Sequence, residues 1–220
     1  VNPIWTAGNA IAVVTALVCT FYLRYERKGA ATGWPWVSIA IIGVTAIISG
    51  LQFPFPELVP LFERNATELR SGEVWRLVTP MFVQPGGLGH CLLNGFLFLA
   101  FLPTCERLYG KGLILIYFAA GLLGQLLHYW WATELTGGSS TAIFGAVGAI
   151  FTYVLRNRGA SLKAFVGLST LGLLAAVMLA VTHDGHGAGM LIGAAIATRL
   201  PAAPWRSRVS PAVTLPLQPS

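Results

Sequence analysis

The residues with most chemistry in this otherwise apolar chain are two histidines, an asparagine and a short run of hydroxyls. His90 and Asn94 lie four apart, Ser139-Ser140-Thr141 follows Gly137-Gly138, and His183-Asp184-Gly185-His186 comes later. A serine hydroxyl is a weak nucleophile until a base accepts its proton, and histidine does this best near neutral pH. The oxyanion that follows needs preorganised donors, such as backbone N–H groups at a helix start or an Asn or His side chain. Ser140 at a helix N-terminus, His186 as base, and His90 with Asn94 as donors supply these parts. Asp184, two residues from the base, is expected to point elsewhere, which favours a Ser–His dyad. Phe144, one turn beyond Ser140, is placed to pack on the imidazole and restrict its rotamers.

These groups need elements that carry them to one place. Apolar residues make up 55% of the 220 residues and charged residues 10%, against about 25% charged in a soluble domain. Such a chain cannot cover a globular surface with polar groups, so its solvent is largely lipid. The expected class is all-α, a polytopic membrane protein. A helix crosses the hydrocarbon with about 20 apolar residues, in a range of about 17–25. Seven segments approach this: 4–23, 35–53, 87–105, 112–131, 140–155, 162–182 and 186–200. The fifth and seventh are short and open with polar residues and glycines. That suits helices whose ends stop below the surface in a protein-lined cavity.

The loops set the orientation. Arg24, Arg27 and Lys28 follow the first span, Arg107 and Lys111 the third, Arg156, Arg158 and Lys163 the fifth, and Arg199, Arg206 and Arg208 the seventh. Cytoplasmic loops carry the excess of Lys and Arg, so the N-terminus is expected outside and the C-terminus in the cytoplasm. On that topology the third, fifth and seventh spans all run inward. His90 with Asn94, Ser140, and His186 therefore meet at the outer end of the bundle. Gly145 and Gly148 on the fifth span, and Gly189 and Gly193 on the seventh, let those two helices approach closely.

The connector 54–86 is long for a compact bundle but rich in Phe, Leu and Trp, so short interfacial helices are expected there. Trp75 and Arg76 are expected to brace this loop against the bundle. Asn65-Ala66-Thr67 is a glycosylation sequon on the expected outer side. His128, beside Tyr129, Trp130 and Trp131, reads as part of an aromatic belt, and His183 as a loop residue. Cys19, Cys91 and Cys105 lack CxxC spacing and read as small buried hydrophobes. The first apolar stretch has its positive residues after it rather than before, so it reads as a retained span and not a secretory signal. The sequence thus divides into an added N-terminal helix with its cytoplasmic loop (1–34), a six-helix domain (35–200) and a disordered cytoplasmic tail (201–220).

Taken in order, these motifs resemble the rhomboid intramembrane proteases over roughly residues 35–200. Glu73-Val-Trp75-Arg76-Leu-Val-Thr-Pro80-Met-Phe is similar to the family's loop motif with its Trp-Arg pair. His90-Cys-Leu-Leu-Asn94 resembles its HxxxN, and Glu106 is placed like the acidic residue ending that helix. Gly138-Ser-Ser140-Thr-Ala-Ile-Phe-Gly145 resembles its GxSG segment, and His186-Gly-Ala-Gly189-Met-Leu-Ile-Gly193 its HxxGxxxG. The resemblance implies Ser140 as nucleophile, His186 as base, and His90 and Asn94 as oxyanion partners. It implies a six-helix core around a water-filled cavity, cleavage of transmembrane helices in membrane-protein substrates, and neither cofactor nor metal. Thr141 stands where the family usually has Gly, and Gly95 where Met is common.

Rival readings are a rhomboid-fold protein without protease activity that binds membrane clients, and a small transporter or metal protein using His90, His183 and His186. The net charge of +6 lies in short clusters between apolar runs, without the basic stripe that nucleic acid would need. The bilayer is the expected partner, in a bacterial plasma membrane.

Overall fold

The computed structural model describes residues 2–26, 33–131 and 137–205. Among these the chain is helical: α1 (Pro3–Glu26), α2 (Trp36–Leu51), α3 (Leu58–Phe62), α4 (Ala66–Arg70), α5 (Gly87–Tyr109), α6 (Gly112–Trp131), α7 (Ser140–Arg156), α8 (Lys163–Val181) and α9 (Gly185–Arg199). Seven match the seven apolar segments. Four of them, α1, α5, α6 and α8, are long and apolar enough to cross a membrane. The connector holds the two short helices α3 and α4 and two 3-10 turns at Val74–Leu77 and Thr79–Met81, as its amphipathic sequence predicts.

Helix α7 forms the axis. Every residue from Thr141 to Val154 is buried, which is what a helix apolar all round requires. Its glycines and those of α9 make the seam. A Cβ on Gly148 would strike the Met190 carbonyl, one on Gly193 the Gly145 carbonyl, and one on Gly189 the Thr141 carbonyl. Only backbone against backbone fits there. The outer helices instead leave large apolar side chains uncovered, among them Leu88, Leu92, Phe96 and Leu99 on α5 and Leu171, Leu174 and Val181 on α8. Contiguous exposure of this kind is tolerated in lipid rather than water.

Polar contacts fix the helix ends. Glu106, near the end of α5, accepts from the backbone N–H groups of Val37 (3.0 Å) and Ser38 (2.7 Å) and from the Ser38 hydroxyl (2.6 Å). A carboxylate thus satisfies the free donors that open α2. Pro103 sits inside α5 and cannot donate to the Leu99 carbonyl. Arg24 of α1 takes up that carbonyl at 3.1 Å, the Ala100 carbonyl at 2.7 Å and the Thr104 hydroxyl at 2.8 Å.

The segment after Pro201 was expected to be disordered. Its first five residues instead lie on the bundle: Ala203 N–H donates to the Leu108 carbonyl (2.8 Å), and Trp205 stacks near Tyr153 with ring centroids 6.0 Å apart. Residues 206–220, with Arg206 and Arg208, and the loop residues Arg27 and Lys28 lie outside the described residues.

Candidate active site

Ser140 is the first residue of α7, and His186 the second of α9. Because those helices run side by side in the same direction, their starts coincide. The Ser140 Oγ lies 2.8 Å from His186 Nε2. Phe144 packs on the imidazole with centroids 4.7 Å apart. Both polar groups open into a cavity of about 230 Å³ lined also by His90, Gln125, His128, Gly137, Gly138, Thr141 and Asp184, large enough for several waters.

His90 reaches the cavity from the start of α5. Its Nδ1 accepts from the Gly86 N–H at 3.3 Å, so in the neutral ring the proton sits on Nε2 and is available to donate. The ring lies on Gly138, where a Cβ would come within 2.7 Å of Cε1 and 2.9 Å of Nε2. Gly138 also has φ +124°, a conformation that side chains disfavour. Its N–H donates to the Pro80 carbonyl at 2.7 Å, which ties the loop before Ser140 to the connector. Thr141 is buried at the first turn of α7. Its methyl fills the space that Gly124 of α6 and Gly189 of α9 leave open.

Asp184 departs from expectation. It caps α9 in an extended conformation (φ −86°, ψ 122°), its Oδ1 accepting from the His186 N–H at 2.9 Å. The same oxygen lies 2.7 Å from His186 Nδ1. The approach is close but off-line, so Nδ1 has no directed hydrogen bond among the described residues. Burial pushes the Asp184 carboxyl upward, but the contacts with His186 and Asn9 outweigh it and hold the group below its ordinary value. A carboxylate does stand beside His186, and the reading of Asp184 as pointing away is corrected. The reason is its place outside the helix: an N-cap side chain folds back over the first turn.

Asn94 does not line this cavity. It is buried one turn along α5 from His90, and its Nδ2 donates to Gln84 Oε1 at 2.7 Å. It lines a separate cleft of about 160 Å³ with Thr45, Ser49 and Cys91. Gln84 in turn donates from Nε2 to the Ser139 hydroxyl at 3.1 Å, while its backbone N–H donates to Gln52 Oε1 at 2.9 Å and its carbonyl accepts from Gln52 Nε2 at 3.0 Å. A buried hydrogen-bonded chain thus runs from Asn94 through Gln84 to Ser139.

Arg76 ties the connector to itself rather than to the bundle, with hydrogen bonds to Glu73 Oε2 (2.6 Å) and to the Pro60 (2.8 Å) and Glu63 (3.0 Å) carbonyls. The Trp75 side chain is half exposed. His183 stacks on Trp131 at 5.2 Å rather than joining His90 and His186. His128, read from the sequence as part of an aromatic belt, instead lines the cavity, together with Gln125 one turn before it on α6. That spacing places both on one face, and it was the available signal.

A family model described as the rhomboid domain matches residues 71–202. The chain belongs to the rhomboid family. Members of that family are generally intramembrane serine proteases. Rhomboid protease GluP of Bacillus subtilis is 32% identical over 155 residues, covering 66% of this chain and 30% of the relative. Rhomboid-like protease 2 of Toxoplasma gondii is 29% identical over 179 residues, covering 72% and 60%. Rhomboid-like protease 1 of the same organism is 32% identical over 143 residues, covering 58% and 47%. The chain thus spans less than two thirds of the length of each of these rhomboid relatives.

Proposed function

We propose that this rhomboid chain is an intramembrane serine endopeptidase, with Ser140 as nucleophile and His186 as general base. The observation that carries the reading is the 2.8 Å contact between Ser140 Oγ and His186 Nε2 at the wall of a polar cavity in an apolar bundle. Polar side chains at that depth are costly and ask for a function.

Ser140 Oγ attacks the scissile carbonyl as its proton passes to His186 Nε2, and the new C–O bond leaves negative charge on the carbonyl oxygen. The His90 Nε2–H and the Ser140 backbone N–H, which has no acceptor within α7, stabilise that charge. Asp184 stabilises the imidazolium. His186 then gives its proton to the leaving amine, and a water from the cavity, deprotonated by the same ring, releases the acyl group.

The substrate class is a membrane protein whose helix unwinds at Ser140. Unwinding exposes backbone polar groups, which is costly in lipid and acceptable in a wet cavity. Substrates with Gly, Pro or other helix-weakening residues near that end are therefore favoured. The alternation of basic loops supports an N-terminus outside and a C-terminus in the cytoplasm.

The test is gel-based cleavage of a panel of single-span proteins by the parent and by Ser140→Ala in proteoliposomes. Cleavage by the parent and none by the variant is expected. Equal rates, or failure of the parent to take a serine-directed fluorophosphonate label, would overturn the reading in favour of a client-binding protein without protease activity.

A further inference from the structure

We propose that Asn9, on the helix that precedes the six-helix domain, is a positioning residue for the base, holding the Asp184 carboxylate against His186. The proposal rests on the reading of Ser140 and His186 as the reacting pair.

The two oxygens of Asp184 are divided between two neighbours. Oδ1 faces His186, at 2.9 Å from its backbone nitrogen and 2.7 Å from Nδ1. Oδ2 accepts from Asn9 Nδ2 at 2.8 Å. Charge fixes the orientation of the Asn9 amide, since a flipped group would set its carbonyl oxygen against a carboxylate. The Asn9 Oδ1 is buried without a hydrogen-bond partner among the described residues. A side chain retained only to join two helices would be expected to use both ends of its amide. Here only the donor is used, and its acceptor is the carboxylate behind the base.

Helix α1 cannot slide away from this register. Gly8 lies directly on α8, where a Cβ would come within 2.7 Å of Met178 and 2.8 Å of Leu179. Trp5 Nε1 donates to the Thr182 carbonyl at 3.0 Å, and Arg24 fastens the other end to α5. The loop is equally constrained, with Asp184 N–H donating to the Leu179 carbonyl at 2.8 Å and His183 at φ 65°. The added helix thus delivers one amide to a carboxylate whose position is otherwise set only by its own helix start.

In the reaction no atom changes hands at Asn9. As the Ser140 proton reaches Nε2, positive charge develops on the ring, and Asp184 must be ionised and turned toward Nδ1 to stabilise it. Asn9 favours that state. It lies behind Asp184 and does not line the cavity, so its loss should appear in kcat and leave KM unchanged. The other titratable side chains facing the cavity are His90 of α5 and His128 of α6, with Arg64 acting on His128 through its charge.

The experiment uses the full chain in proteoliposomes, following cleavage of a single-span substrate and the rate of fluorophosphonate labelling. The variants are Asn9→Ala, Asn9→Asp and, as a docking control, Trp5→Phe. Asn9→Ala should lower kcat and labelling about tenfold, a fraction of what a general base contributes, with KM unchanged and a fall in thermal midpoint no larger than that of Trp5→Phe. Asn9→Asp should retain activity at mildly acidic pH, where its protonated carboxyl donates to Asp184. It should lose activity as pH rises and the two carboxylates repel, an alkaline fall that the parent lacks. Trp5→Phe should keep the parental kcat.

Parental kcat in Asn9→Ala overturns the proposal. So does a loss shared equally by Trp5→Phe and matched by a fall in thermal midpoint, because helix docking then explains it. A parent that neither labels nor cleaves overturns the protease reading and takes this role with it. A parent that labels at the same rate as Asn9→Ala sinks the role of Asn9 alone.

Discussion

Gly193 of α9 lies so close to the Gly145 carbonyl of α7 that no side chain fits between them. Ser140 lies five residues before Gly145 and His186 seven before Gly193, at the start of the same seam, so their 2.8 Å contact depends on backbone-to-backbone approach. Gly193→Val must part the helices. Overpacking costs about 1–3 kcal/mol in a deformable core, and here the obstacle is backbone. The expected result is a fall of several degrees in the thermal midpoint together with loss of fluorophosphonate labelling. Gly43→Ala, whose Cβ meets nothing within 4 Å, should change neither. A Gly193→Val protein that melts and labels like the parent would refute the dependence.

Asp184 has two tasks that one substitution separates. Asparagine caps helices as well as aspartate, so Asp184→Asn should fold normally near neutral pH. It removes the charge beside Nδ1, and labelling should fall roughly ten- to a hundredfold, consistent with a supporting group in general-base catalysis. The carboxyl is held below its ordinary value in the folded protein. A depressed carboxyl contributes stability that is complete above its unfolded value of about 3.9 and is lost as pH falls through the folded value. Thermal midpoints should therefore decline on acidification more steeply in the parent than in Asp184→Asn. Identical acid profiles would contradict this linkage.

The bundle and the meeting of Ser140 with His186 were legible because periodicity carries them. Apolar length marks the spans, and hydroxyl, imidazole and glycines recur at the starts of spans running the same way. The remaining contacts have no period. Asp184 lies two residues from His186, a spacing that within a helix would part the side chains, but it stands outside the helix as a cap. Asn94 finds Gln84 only because the connector folds back. Asn9 is the one side-chain amide in an otherwise apolar and hydroxyl-bearing span, and nothing local names Asp184 as its acceptor. His128 faces the cavity rather than a membrane-interface belt, because its helical face is shared with Gln125 and not with the aromatic run that follows it.

Glu106 tests stability apart from chemistry. It holds the opening donors of α2 at the end of α5 remote from Ser140. Glu106→Ala leaves those donors without their carboxylate, which should cost about 1–3 kcal/mol, in the range for hydrogen bonds to charged groups. Thermal denaturation should register the loss. The labelling rate of the remaining folded protein should stay within about twofold, since a group acting on folding alone leaves the reacting pair in place. A labelling defect larger than the stability loss would show that α2 communicates with the site.

The buried chain from Asn94 through Gln84 to Ser139 makes a separate demand. If Asn94 acts through Gln84, removing either residue breaks the same hydrogen bond of 2.7 Å, and their effects should not add. Asn94→Ala leaves Gln84 Oε1 buried and unpaired, a penalty of about 1–3 kcal/mol. Gln84→Leu replaces the middle member with an apolar side chain and frees Ser139. The double variant should be less destabilised than the sum of the singles by about 0.5 kcal/mol or more, the coupling usual for residues in one network. Labelling should follow the same non-additive pattern, because Ser139 directly precedes Ser140, the proposed nucleophile. Strict additivity in both measurements would mean that Asn94 reaches the site by another route, with a donor aimed at the oxyanion only when substrate is bound.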